Sequence, residues 1–298
     1  MATGSALRVR LRGLAKPASL PARPIFTNAI MLKPALAIAV KAARAAATIL
    51  LRRMARLDAI PVTEKDRFDF ASEVDRQAEA EIIKELRRTY PRDAILAEES
   101  GAQGRGDTVW VIDPLDGTHN YLRGLPHFCV SIARVARGEP ELGVVYDPLR
   151  SELFTATRGG GAFLNDRRIR VADRRNLEGA LLATGMHWRQ RRHLDAQLAM
   201  LRDMLSTQVQ VADIRRSGSA ALDLAYVASG RLDGYFELGL KPWDMAAGRL
   251  LVREAGGTCS DFTGGERHVE TGNIVAGNLK VTEAMIASMK PHLTPAMR

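Results

Sequence analysis

Cysteine is almost missing from this 298-residue chain, and the two present, Cys129 and Cys259, stand in apolar, strand-like surroundings. That argues against a disulfide framework and for a reducing compartment, with both thiols buried. Long hydrophobic runs are missing as well: no stretch approaches the roughly 18 apolar residues that a membrane span needs. The longest apolar helical pattern, 35–51, is interrupted by Lys41 and Arg44. A soluble, cytoplasmic protein without a membrane segment is therefore expected. The six histidines show no His-x-x-x-His or comparable ligand spacing, so a histidine metal site is not expected. Walker-type and dinucleotide fingerprints are absent, which sets aside a kinase or a dehydrogenase. Arg216-Ser217-Gly218-Ser219 is only superficially like a nucleophile elbow, because the upstream glycine and a triad histidine in context are lacking.

Acid is missing from residues 1–30, which carry Arg8, Arg10, Arg12, Lys16 and Arg23 and so hold more than half of the net charge of +9. The basic surplus is thus concentrated at one end, which weakens a nucleic-acid reading of the charge. At this length the remaining chain is long enough for one large domain or two closely packed ones.

Apolar residues recur at helical spacing over 31–57 and again over 74–89, where Ala78, Ile82, Ile83 and Leu86 share a face. Ser72-Glu73-Val74-Asp75 has the form of a capping box opening the second helix, and Pro91 stops it. From 94 to 172 the pattern changes to short strands, around 94–97, 108–112, 128–136, 141–146 and 152–156, which predicts an α+β unit with an antiparallel sheet. After about 173, apolar runs at 180–184, 233–237, 258–260 and 273–276 alternate with helical patterns at 190–205, 219–229, 244–255 and 281–289. A second layered unit is expected there, meeting the first along a cleft.

What stands out is where the acids fall. In Trp110-Val111-Ile112-Asp113-Pro114-Leu115-Asp116-Gly117-Thr118 two carboxylates follow a β-prone run, and Pro114 is expected to end the strand and place both on a tight turn. Ala94 to Ala97 runs likewise into Glu98-Glu99, and Pro242-Trp243-Asp244 opens a helix. An aspartate at a turn is ordinarily just an Asx turn. If these ends meet, unit charges about 5 Å apart at an effective dielectric of about 20 repel by roughly 3 kcal/mol per pair, so the cluster calls for cations. Oxygen donors without Cys or His favour Mg²⁺ over zinc. Adjacent side chains after a strand point apart, so at most one of Glu98 and Glu99 faces the metals. Asp75 has a competing explanation as a capping acid, and Glu237 as a solvated acid at a strand end.

Taken in order, Glu98-Glu99-Ser100, Asp113-Pro114-Leu115-Asp116-Gly117-Thr118, Gly161-Ala162-Phe163-Leu164-Asn165, Gly218-Ser219-Ala220-Ala221 and Pro242-Trp243-Asp244 resemble the inositol monophosphatase family, bacterial branch, over roughly residues 31–290. The resemblance implies an α+β layered αβαβα sandwich, as in the superfamily shared with fructose-1,6-bisphosphatase. It divides the chain into an extension, 1–30, a metal-bearing unit, 31–172, and a unit with substrate residues, 173–298. Because the likeness begins at Met31, residues 1–30 are read as a disordered tail or the product of an upstream start codon, not as a targeting segment.

The resemblance further implies a phosphomonoesterase holding two or three Mg²⁺ ions. Glu98, Asp113 and the Leu115 carbonyl would hold the first, and Asp113, Asp116 and Asp244 the second. Asp75, Thr118 and Glu98 would activate water for in-line attack. Asp116, Gly117, Thr118, Gly218, Ser219, Ala220, Glu237 and Asp244 would contact substrate, with Lys65 near a weaker metal position. His119 departs from the Thr or Ser that the family usually has, and Arg189, Arg191 and Arg192 add charge near another departure, Gly185 to Trp188. Myo-inositol 1-phosphate is the implied substrate, with Asn120-Tyr121 pointing to that branch. The alternatives are 3'-phosphoadenosine phosphate, fructose bisphosphate and histidinol phosphate. Lithium inhibition, a homodimer and association with RNA polymerase or transcription factors are implied on the same basis.

Overall fold

A computed structural model describes residues 34–55, 62–66, 69–186 and 188–298, with 62–66, 69–72 and 188–189 given as backbone alone. The expectations for residues 1–30, and for the side chains of Ser72 and Lys65, lie outside the described residues. Helix α1 (Pro34–Met54), the hairpin β1 (Val62–Asp66) and β2 (Asp69–Ser72), and α2 (Glu73–Thr89) come first. They lead into β3 (Ala94–Ala97), β4 (Gly101–Gln103), β5 (Thr108–Asp116), the short α3 (Thr118–Leu122), β6 (Cys129–Ala136), β7 (Glu139–Asp147), β8 (Glu152–Thr157), β9 (Gly161–Leu164) and β10 (Arg167–Arg168). The remainder is β11 (Leu181–Thr184), α4 (Leu194–Met204), β12 (Asp213–Arg215), α5 (Ala220–Ala228), β13 (Gly234–Glu237), α6 (Pro242–Glu254), β14 (Thr258–Ser260), α7 (His268–Thr271), β15 (Ile274–Gly277) and α8 (Leu279–Met289).

Besides the two-stranded β1-β2 sheet, the described residues form two larger sheets, eight-stranded in the order β10-β9-β8-β7-β6-β5-β3-β4 and five-stranded in the order β12-β11-β13-β15-β14. The larger one is mixed, since β3 runs parallel to β5 while its other pairs are antiparallel; the all-antiparallel expectation is corrected there. The smaller sheet is mixed too, with β11 parallel to both neighbours.

Alternation along the strands sorts the core into layers. On β5 and β6, Trp110, Ile112, Val130 and Ile132 face α1 and α2, while Val111, Cys129 and Ala133 face α5 and α6. On β13, Tyr235 faces α5 and α6, while Phe236 joins Val275 and the methionines of α4 and α8. Helices therefore cover both sheets outside and fill the space between, the αβαβα sandwich of an α+β protein. Small residues permit the close approach of the middle layer: a Cβ on Gly143 of β7 would lie 3.0 Å from the Cα and carbonyl oxygen of Ala247 on α6.

Helix α1 is long and apolar enough to cross a membrane by length and composition. Its Leu36, Ala39, Ala43, Ala46 and Leu50 are instead buried against α2 and the sheet, so that face is already used.

Pro114 does not end β5. The strand runs on to Asp116, with Asp113 opposite Ser131 and Asp116 opposite Cys129, so three steps on β5 match two on β6. This is a β-bulge, one of the few places where a strand tolerates proline. In a regular strand, residues three apart face opposite sides; one extra residue restores the same side. Asp113 and Asp116 therefore both face the middle layer.

Buried His268 of α7 lies with its Nε2 3.5 Å from Arg249 Nη1 on α6. Burial, then Arg249 and Arg253, push its pKa from 6.5 down to about 4. His127 and His193 are lowered in the same sense, first by burial. Between about pH 6.5 and 4 the unfolded chain binds a proton at His268 that the folded chain refuses, so the part of the stability that depends on His268 is lost as pH drops through that window. Relative to the unmodified protein, the urea midpoint of His268→Gln is expected to rise as the pH is lowered from 7 to 4.5. Identical slopes for the two proteins would contradict this account.

Candidate metal centre

Asp113 is only 1% exposed, and its Oδ1 accepts from the Leu115 amide at 3.0 Å across the bulge. Burial first, then the charges of Glu98, Asp116 and Asp244, raise its pKa well above the ordinary carboxylate range, as does a hydrogen bond with Glu98. The largest influences on Asp113 are thus burial and three further acids. The three element ends do converge.

Each partner is held by its own element. Asp116 Oδ2 accepts from Ser219 Oγ and from the Ala221 amide, both at 2.7 Å, with Cys129 Sγ at 3.9 Å. It thereby caps α5 from outside, where the first-turn amides have no partner within the helix. Burial raises its pKa to about 6 against these bonds. Asp244 is the third residue of α6, and its Oδ2 accepts from the Lys241 amide at 2.7 Å. Burial and then Asp116 and Glu98 push it well above the usual range. Glu98 extends β3, its amide donating to Ile112 O at 3.1 Å. The next two residues are clamped by buried Glu79 of α2, which accepts from the amides of Glu99 at 2.7 Å and Ser100 at 2.9 Å. Glu99 lines a groove along α2 with Arg76, Ile83 and Lys84. The two adjacent glutamates thus diverge.

The donor set is all oxygen, acidic, and concentrated on Asp113, which suits a hard divalent cation such as Mg²⁺. Among the described residues no three of these side chains close into a ready-made cage. The fit rests on donor chemistry and charge. Glu98, Asp113, Asp116 and Asp244 are the residues that would hold such ions, with the Leu115 carbonyl beside them.

Thr118 Oγ1 lies 3.0 Å from that carbonyl and 3.2 Å from Oδ1 of buried Asp75 in the first turn of α2. Gly117 precedes it at φ 99, where a Cβ would also sit 2.9 Å from the His127 carbonyl oxygen, so only glycine fits this start of α3. His119 is exposed on α3. Asn120 and Tyr121 are turned inward: Asn120 Nδ2 donates to His127 O and Ser217 O, and the Tyr121 hydroxyl donates to Leu50 O.

Gly218, Ser219 and Ala220 are brought beside Asp116 through the Ser219 bond. Ser219 stands at the N-cap of α5 without capping it. Glu237, 9% exposed at the end of β13, is within electrostatic reach of Asp116 and Asp244 and is raised to about 7 chiefly by burial. Sequence reasoning missed Glu79, Cys129 and Asp223 as neighbours of this centre. Asp223, 2% exposed on α5, has one oxygen without a hydrogen-bond partner. Alternation on β6 could have flagged Cys129; nothing local marks Glu79, whose work is done on another element.

The model of the inositol monophosphatase family matches residues 31–293. A Xylella fastidiosa protein named Nus factor SuhB is 56% identical over 261 residues, covering 86% of this chain and 94% of that one. The crystal structure of the extragenic suppressor protein suhB of Bartonella henselae is similar at TM-score 0.84 and 42% identity, covering 88% of this chain and all of its own. An inositol monophosphatase structure from Anabaena (Nostoc) sp. PCC 7120 follows at TM-score 0.75 and 39% identity, covering 86% and 95%.

Two substitutions probe what holds the acids. Glu79→Ala strands two amides and is expected to lower unfolding free energy by about 3 kcal/mol, read from urea denaturation. Ser219→Ala is expected to weaken Mg²⁺ binding about tenfold, read as a smaller rise of Tm with added Mg²⁺. An unchanged Mg²⁺ response would mean that Asp116 does not need its serine.

Proposed function

The chain belongs to the inositol monophosphatase family, and from that membership we propose that it is a Mg²⁺-dependent phosphomonoesterase that hydrolyses myo-inositol 1-phosphate or a close relative to the alcohol and phosphate. The carrying observation is Asp113, buried and pressed by three further carboxylates. Such a site favours cations and, through them, a phosphoryl group.

Bound Mg²⁺ would supply a water of lowered pKa and neutralise charge on the phosphoryl oxygens. The chain's own part begins with Thr118. A water donating to Thr118 Oγ1 can pass a proton along that hydroxyl to Asp75 Oδ1, 3.2 Å away. The Thr118 and His119 amides, in the first turn of α3, would donate to phosphate oxygens. Glu237 would accept from a hydroxyl of the alcohol. In this reading residues 31–172 contribute most of the metal ligands and residues 173–298 the contacts to the alcohol. A cytoplasmic location, lithium inhibition and a homodimer belong to the same proposal.

We infer a second role as a transcription accessory protein that contacts RNA polymerase or transcription factors, because close relatives carry the name Nus factor. The two roles need not exclude one another, since only the first requires Asp113.

Phosphate release from myo-inositol 1-phosphate, 3'-phosphoadenosine phosphate, fructose bisphosphate and histidinol phosphate, with Mg²⁺ and with chelator, tests the first. The inositol ester is expected to have the highest kcat/KM, and Asp113→Asn is expected to lower it at least about 1,000-fold. Preference for the nucleotide overturns the inositol assignment; an unaffected Asp113→Asn overturns the metal reading. The same variant should still be retained by immobilised RNA polymerase complexes if the second role holds.

A further inference from the structure

Glu237 sits in a seat formed by two residues to which no role has yet been given. Tyr235 and Glu237 are two apart on β13 and so face the same side, toward α5 and α6. Tyr235 is fully buried, and its hydroxyl donates to Glu237 Oε2. On the neighbouring parallel strand, Thr184 pairs with Phe236, which brings Gly185 alongside Glu237. A Cβ on Gly185 would lie 1.9 Å from Glu237 Cδ and 2.0 Å from each carboxylate oxygen. Gly185 is not among the residues of positive φ, so its backbone would accept alanine. Glycine is needed there for its missing side chain alone.

We propose that Tyr235 and Gly185 are positioning residues that fix the Glu237 carboxylate with Oε2 occupied and Oε1 presented, so that Glu237 reads a hydroxyl of the substrate alcohol. The inference rests on the phosphomonoesterase reading and adds to it how the alcohol-facing acid is held. The chemistry favours this selection. A buried carboxylate with one oxygen already bonded has one strong acceptor left, and an ester lacking the matching hydroxyl leaves it unpaired. The exposed Arg216, which acts on Glu237 electrostatically, keeps the seat compatible with a charged carboxylate.

Two esters separate this from a merely structural role: myo-inositol 1-phosphate, which offers hydroxyls, and p-nitrophenyl phosphate, which offers none. Steady-state kinetics with saturating Mg²⁺ on the full-length chain and on Tyr235→Phe and Gly185→Ala give kcat and KM for each. The ratio of kcat/KM, inositol ester over nitrophenyl ester, is expected to fall at least tenfold in both variants, through KM of the inositol ester. A parallel loss on both esters, or no change on either, overturns the positioning role. Circular dichroism melting accompanies each variant, so that Gly185→Ala reports independently should Tyr235→Phe unfold. If the unmodified protein hydrolyses neither ester with Mg²⁺, the phosphomonoesterase reading fails and this inference falls with it; if it hydrolyses the nitrophenyl ester but shows no ratio change, the inference alone fails.

Discussion

Four carboxylates drawn toward one another around a buried aspartate are the constraint on which the rest of the molecule depends. Asp113 is surrounded by apolar matter and by Glu98, Asp116 and Asp244, and each of these influences raises its pKa. A fold held together by burial has no reason to collect like charges, because each adds repulsion and desolvation. Divalent cations reverse the sign of that interaction. In the proposed reading the same groups would become a ligand set for such cations.

Keeping such a set together takes an anchor for every acid, and the anchors come from different elements. Asp116 is gripped by Ser219 and the Ala221 amide at the start of α5, and Asp244 is tied to the Lys241 amide at the start of α6. Glu98 is followed by two amides that Glu79 of α2 holds. Helix N-termini thus supply favourable dipoles to two of the acids, which offsets part of their repulsion. The middle α5–α6 layer packs on both sheets, so the four acids and Glu237 border one continuous core. The proposed hydroxyl reader extends this logic: Tyr235 and Gly185 fix Glu237 as Ser219 fixes Asp116.

A site defined by three short segments leaves much of the surface unconstrained by chemistry. The chain's relatives named Nus factor share about half its residues. Hydrolysis and partner binding would then draw on separate parts of the protein, since the acids face the interior while a partner meets the surface.

Much was readable in the residues themselves. The acids at the ends of apolar runs, the helical spacing of Ala78, Ile82 and Leu86 and the divergence of Glu98 from Glu99 follow from periodicity and side-chain chemistry, which are local. Short elements escaped: β4, β10, β12 and α7 have too few residues to show a period. The larger error concerned Pro114, read as a strand terminator. Only pairing with β6 makes it part of a bulge, and only the bulge puts Asp113 and Asp116 on one face. Residue chemistry along the chain was enough to say which side chains are on hand for cations and phosphate. That they meet, and how each is held, came from the folded arrangement, because parity across a sheet and contacts more than a hundred residues apart, such as Ser219 on Asp116, are properties of strands paired in space.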